Sequence, residues 1–270
     1  MPETPDTAAT GQVNADAARI YDTFFVPALF AEWAQPVCDA AGIRPGDHVI
    51  DVACGTGVAA REAAKRSGGR GKVTGIDRNS GMLAVAQEQA PHINWRECRA
   101  EALPFKDGSF DAALCQFGLM FFEDQALALH EMRRVVGPGG RAVMAVWDRV
   151  ENSPGYAAMI DLIDRMFGYV AADALRAPFA LGELGELSSL LHRTGWGDAA
   201  IDTRIGTARF DSITEWVRMD VRGWTLADLI DNDQYDALVR AANEELASFA
   251  ISDGTVTFAA PGHIITLHRS

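Results

Sequence analysis

Through residues 48–147, runs of apolar, β-branched residues alternate with stretches whose apolar positions recur at helical spacing. The first run, His48-Val49-Ile50-Asp51-Val52-Ala53, predicts a buried strand; Gly55 and Gly57 then mark a tight turn, and a helix is expected to Ser67, where Gly68-Gly69 stops it. Lys72 to Asp77 predicts a second strand. Asn79 or Ser80 caps the next helix, which carries Met82, Leu83 and Ala86 inward and ends at Pro91. Ile93–Cys98 and Phe110–Gln116 read as the third and fourth strands, and Gln125–Val136 as a helix. Gly137-Pro138-Gly139-Gly140 reads as a turn, and Arg141–Trp147 is apolar enough for a central strand. Such alternation implies right-handed crossovers and a mostly parallel, doubly wound α/β sheet.

The flanks have a different rhythm. Residues 1–13 are polar and are expected to be a disordered tail. Residues 14–41 carry a rough apolar stripe (Ile20, Phe24, Leu29, Trp33, Val37), with Pro27 and Pro36 expected to break it, and are expected to form a helical lid. Beyond Trp147, helices are expected over Pro154–Val170, Gly185–Thr194, Ser212–Arg222 and Tyr235–Phe249. Ala199–Arg209 reads as a strand, and β pattern returns in Thr255–Phe258 and His263–His268. The chain thus reads as one domain, 1–270, with cap insertions at 150–182 and 210–252, where a substrate pocket would be built.

Composition narrows the classes. A formal net charge of -13 and a pI of about 4.8 disfavour nucleic acid as a partner. Four cysteines (Cys38, Cys54, Cys98, Cys115) lie far apart without a C-x-x-C pair, which fits reduced cytosolic thiols rather than disulfides or zinc. No secretory pattern and no apolar run of membrane-spanning length are read, so the expectation is a soluble, cytoplasmic protein. No metal site is expected: Asp148 follows the fifth strand, but the fourth ends in Cys115-Gln116.

The chemistry concentrates at the first turn. Gly55-x-Gly57-x-x-Ala60 fits a dinucleotide fingerprint, and Asp77, twenty residues past Gly57, could accept hydrogen bonds from a ribose. A nicotinamide-dependent oxidoreductase is therefore allowed. Asp51 argues against it, because a carboxylate beside the turn would repel a pyrophosphate but suit a cationic ligand. S-adenosylmethionine (SAM) combines adenosine, a sulfonium and an amino-acid ammonium.

Several segments in order carry a resemblance: Val49–Gly57, Gly75-Ile76-Asp77 with Met82-Leu83, Ala100–Phe105, Phe110-Asp111-Ala112 with Cys115–Leu119, and Arg134–Gly140. The chain resembles class I SAM-dependent methyltransferases of the ubiquinone/menaquinone-biosynthesis type. The resemblance implies a seven-stranded Rossmann-like sheet with cap helices and SAM as cofactor. It implies that Gly55 and Gly57 admit the methionine moiety, with Asp51, Ala53, Cys54 and Thr56 around it. Asp77 would hold the ribose, Arg78 or Met82 would pack on the adenine, and Ala100 and Glu101 would contact its amine. Gln116 and Phe117 would lie beside the sulfonium, and Tyr21 could face it. Ala53 stands where many relatives have glycine, and Arg99 where relatives often have aspartate.

The expected reaction is in-line transfer of the methyl group to an O, N, C or S atom of a small, partly apolar or aromatic acceptor. Phe24, Phe25, Phe121, Trp147 and Met159 are the pocket candidates, and no general base is named. Asp111 reads as structural, Glu131 and Arg134 as a solvated helix face, and the six histidines as ordinary packing or surface. A SAM-binding regulator without transferase activity is the third reading, and a second copy of the chain is kept as a candidate partner.

Overall fold

The computed structural model describes residues 15–269 apart from Trp224, Thr225, Ala227 and Asp228; the expected 1–13 tail lies outside the described residues. The core is a seven-stranded sheet in the order β3-β2-β1-β4-β5-β7-β6. The strands are β1 (His48–Val52), β2 (Lys72–Asp77), β3 (Asn94–Glu97), β4 (Phe110–Gln116), β5 (Val136–Trp147), β6 (Ala200–Phe210) and β7 (Val256–His268). β1 to β5 pair in parallel, whereas β7 is antiparallel to both β5 and β6.

Period-two burial sorts the strand residues between two cores. On one face Val49, Leu114 and Val143 pack with α2 (Ala31–Ala41) and α3 (Val58–Ser67). On the other, Ile50, Ala113 and Met144 pack with α5 (Gln125–Val135) and α8 (Leu184–Arg193). α1 (Ala15–Ile20) lies against α4 (Ser80–Gln89) through Ala18, Met82 and Val85. α6 (Pro154–Phe167), α7 (Tyr169–Arg176), α9 (Ile213–Arg222) and α10 (Asn232–Glu245) occupy the two segments expected as cap insertions. The chain winds one way through β2 and β3, then returns to place β4 on the other side of β1. This reversal opens a crevice at the carboxyl ends of β1 and β4, where such sheets take ligands.

Five local expectations are corrected. Pro27 does not interrupt the N-terminal helical segment: Tyr21–Phe30 is a π-helix, whose wider turn absorbs the missing donor, and Pro36 is carried inside α2. The helix expected to reach Val170 ends at Phe167, because Gly168 (φ 84°) turns the chain into α7. Gly137–Gly140 is not a separate turn. Phe110 pairs with Val136 and Ala112 with Arg141, so these four residues bulge out of one long strand. The two β segments at the end are one strand; Pro261 lies where β7 runs past the end of β5, at Trp147–Gly262. Glu131 and Arg134 are not merely a solvated face. Arg134 donates to the carbonyls of Leu103 and Phe105, and Glu131 accepts from the Leu103 N–H (2.7 Å), stapling the loop after β3 to α5.

Candidate functional site

At the end of β1 the chain enters a left-handed turn. Ala53 (φ 55°), Gly55 (φ 53°) and Gly57 (φ 85°) all adopt positive φ, and Phe117 (φ 56°) does so after β4. For Ala53 and Phe117 this is strained backbone, held at the ligand edge by its surroundings. The two strained turns touch: a Cβ on Gly118 would lie 2.6 Å from the Ala53 Cβ. Gly57 is constrained twice, since a Cβ there would also strike the Trp95 indole.

Inside this turn is a cavity of about 300 Å³, lined by Tyr21, Asp51, Ala53, Cys54, Gly55, Thr56, Val58, Ala59 and Gln116. It contains an unusual set of orphans: both Asp51 carboxylate oxygens, Thr56 Oγ1 and Gln116 Oε1 are buried without hydrogen-bond partners. Unmet polar groups of this kind are costly unless a ligand meets them. Burial pushes the Asp51 carboxyl up to about 7; Asp77 adds to the rise, while the Ala60 amide and Arg61 oppose it. Gln116 also bridges to the N-terminal π-helix, its Nε2 donating to the Phe30 carbonyl (2.9 Å).

Asp77 is already engaged. Its Oδ2 accepts the Gly55 N–H and its Oδ1 the Asn79 N–H, both at 2.8 Å. The carboxylate therefore shapes the glycine turn and keeps its second lone pairs for a ligand. Asn79 Oδ1 caps α4 through the Met82 N–H, and Met82 is buried against Ala18 and Tyr21.

A second cavity, of about 610 Å³, adjoins the first, and Tyr21 lines both. Its walls are aromatic: Phe25, Phe30, Phe117, Phe121, Trp147, Tyr156 and Phe179, with Leu175 and Asp220 among the rest. Phe117 and Trp147 stack at 3.9 Å between centroids, and Phe30 stacks on Tyr21 at 5.3 Å. Burial, reinforced by Asp77, Asp22 and Asp51, holds the Tyr21 phenol far above its ordinary value. It therefore remains a neutral ring between the chambers.

Comparison with known proteins fits this geometry. A methyltransferase-domain family model matches residues 49–140. A 2-phytyl-1,4-naphtoquinone methyltransferase of Trichormus variabilis is 36% identical over 126 residues, covering 44% of this chain and 55% of its own length. The chain thus spans little more than half of that relative. A demethylmenaquinone methyltransferase of Beutenbergia cavernae is 33% identical over 198 residues, covering 67% of this chain and 80% of its own. The chain belongs to the class I SAM-dependent methyltransferases. The crystal structure of the YcgJ protein of Bacillus subtilis shares the fold, with a TM-score of 0.58 at 19% identity over 87% of this chain and 97% of its own.

With the methyltransferase family in place, the nicotinamide reading is set aside, and the orphaned Asp51, Thr56 and Gln116 atoms fit the charged end of an amino acid better than a pyrophosphate. Among the residues expected at the donor, Asp51, Ala53, Cys54, Gly55, Thr56, Tyr21 and Gln116 converge on the smaller cavity, and Phe117 lines the larger one. Glu101 and Arg78 are partly committed elsewhere. Glu101 accepts the Glu123 N–H (3.0 Å), and Arg78 and Arg99 both pair with Glu123 at the rim. This is what Arg99 does where relatives often carry an acid. Ala100 is buried beside them.

Of the expected acceptor residues, Phe25, Phe121 and Trp147 line the large cavity. Phe24 and Met159 do not. The Phe24 ring lies under the Arg218 guanidinium (4.8 Å), outside the chamber, and Met159 is fully buried in the core of α6. Asp111 is structural as read, accepting the His48 N–H at 2.8 Å. His263 is a buried strut, its ring nitrogens meeting Thr203 Oγ1 (2.8 Å) and the Gly182 carbonyl (3.1 Å), with Asp148 alongside. Sequence reasoning missed Asp220. The signal was a carboxylate on the inward stripe of an amphipathic helix, with Trp216, Val217 and Val221.

Proposed function

We propose that this methyltransferase moves a methyl group from SAM to a small, largely apolar acceptor bearing an aromatic ring. The observation that carries the reading is the pair of adjoining chambers with Tyr21 as their common wall, one polar and orphan-lined, the other aromatic. SAM supplies an electrophilic methyl group on a sulfonium that is already a good leaving group. Asp51 and the Gln116 amide oxygen would receive the ammonium, the Thr56 hydroxyl would donate to the carboxylate, and Asp77 would hold the ribose. Met82 and Ala100 would bound the adenine. Aromatic walls exclude water and orient the acceptor ring, and such alignment is worth roughly 7–11 kcal/mol of barrier. That similar proteins are a 2-phytyl-1,4-naphtoquinone methyltransferase and a demethylmenaquinone methyltransferase favours the same acceptor class.

A cytoplasmic location is part of the proposal. It rests on four free cysteines and on the absence, among the described residues, of a helix long and apolar enough to cross a membrane. Calorimetry with SAM, S-adenosylhomocysteine and NADH tests the donor. SAM and its product should bind, NADH should not, and Asp51→Ala should weaken SAM about 30-fold or more, because a buried charge partner is removed. Binding of NADH with none of SAM would refute the reading. Transfer from labelled SAM across a panel of phenols and naphthols tests the acceptor and excludes a purely regulatory role.

A further inference from the structure

The large chamber is lined by aromatic and aliphatic groups, yet it also includes a carboxylate. Asp220, on α9, is 2% exposed, and its Oδ2 has no hydrogen-bond partner. One turn back on the same helix, the Trp216 indole N–H is also buried and lies near the carboxyl, outside ordinary hydrogen-bond geometry. Tyr156 faces them from α6, its ring edge-on to Trp216 at 5.8 Å between centroids. The cations of α9 turn elsewhere: Arg218 pairs with Glu215 and covers Phe24, while Arg222 donates to Asn232 and covers Tyr235. Nothing on the helix neutralises Asp220, so burying it destabilises the fold without a compensating ion pair. Burial raises its carboxyl to about 8, with Trp216 and Tyr156 acting the other way, which brings it toward the range of a phenolic hydroxyl.

Resting on the methyltransferase reading above, we propose that Asp220 is the specificity-determining anchor of the acceptor chamber. Its carboxyl accepts a hydrogen bond from a ring hydroxyl of the acceptor and so fixes which edge of the ring faces the donor. The ligand class is a hydroxyarene. The chamber also includes the hydroxyl-bearing Tyr21 and Tyr156, but a ring without its hydroxyl leaves the Asp220 oxygen unmet and is bound less well.

The test compares 2-naphthol with naphthalene, both titrated against the protein saturated with S-adenosylhomocysteine and read by quenching of tryptophan fluorescence. Wild type should prefer 2-naphthol by about tenfold, the worth of one buried hydrogen bond. In Asp220→Leu the preference should reverse toward the more apolar naphthalene, and the melting temperature should rise. S-adenosylhomocysteine affinity is the folding control. If Asp220→Leu does not fold, Asp220→Asn should show a reduced preference. Equal binding of the two rings by wild type, or a naphthol preference that survives in the variants while they melt lower, would overturn the proposal and make Asp220 a structural group. Failure of wild type to bind S-adenosylhomocysteine would strike the methyltransferase reading instead, leaving the two failures distinguishable.

Discussion

The two chambers are built by different means. The smaller is made from the ends of two adjacent strands and the turn between β1 and α3, so most of its lining comes from residues 51–59. Its specificity is in the backbone: positive φ at Ala53, Gly55 and Gly57, and carboxylates at fixed positions on consecutive strands. The larger draws its walls from the N-terminal π-helix, the turn after β4, β5, α6, α7, α9 and β7, and its specificity is in side chains. A donor site common to a whole family can be written in one continuous stretch, whereas an acceptor site that differs between members is assembled from the variable elements around it.

The sharpest way to break this contrast is to damage the backbone of the smaller chamber. Gly57→Ala places a side chain at φ 85° against the Trp95 ring. A loss of about 3 kcal/mol is expected from strain and overpacking together, read as a lower urea midpoint with unchanged slope. A neutral result would mean that the turn is not the rigid half of the molecule.

The next effect is electrostatic and touches both chambers. The Asp51 carboxyl is raised from its ordinary 3.8 to about 7 and that of Asp220 from 3.8 to about 8. Between about pH 4 and those values the unfolded chain has released protons that the native chain keeps. The contribution of these groups is therefore full at low pH and is lost as pH rises, by up to about 1.4 kcal/mol per pH unit for each group. Asp77 and Arg61 face Asp51, and Tyr156 and Trp216 face Asp220, so the difference between wild type and variant is the useful quantity. Denaturant melts at pH 5 and 8 should show Asp51→Asn and Asp220→Asn gaining on wild type as pH rises. Parallel curves would mean that neither carboxyl is perturbed.

The smallest effect is Ala53→Gly, which relieves a left-handed alanine. About 1 kcal/mol of stabilisation is expected, offset in part by a more flexible unfolded chain, and is measurable by thermal melting. A destabilised variant would show that the Ala53 Cβ, lying against Gly118, supports the neighbouring turn.

The same contrast explains what the sequence made legible. The order of strands and helices through residue 147 followed from period and turn chemistry, and Asp51, Gly55 and Gly57 could be read as a seat because they are contiguous. That Asp77 also holds the Gly55 amide could not be read, since it depends on how two turns approach in space. Phe24 and Met159 are apolar residues of suitable elements, but side-chain direction on a helix decides between chamber, core and surface. The π-helix over Tyr21–Phe30 shifts that direction away from the ordinary 3.6-residue period. Asp220 was visible only as a polar break in an apolar stripe, a pattern that marks a site only when the space in front of it is known.

Tyr21 makes one further demand. A ring that belongs to both chambers cannot take up a position for one occupant without altering the room left for the other. On the proposed assignment of the chambers, the free energy by which the donor changes acceptor affinity equals that by which the acceptor changes donor affinity, which would make the two ligands thermodynamic effectors of one another through a single side chain.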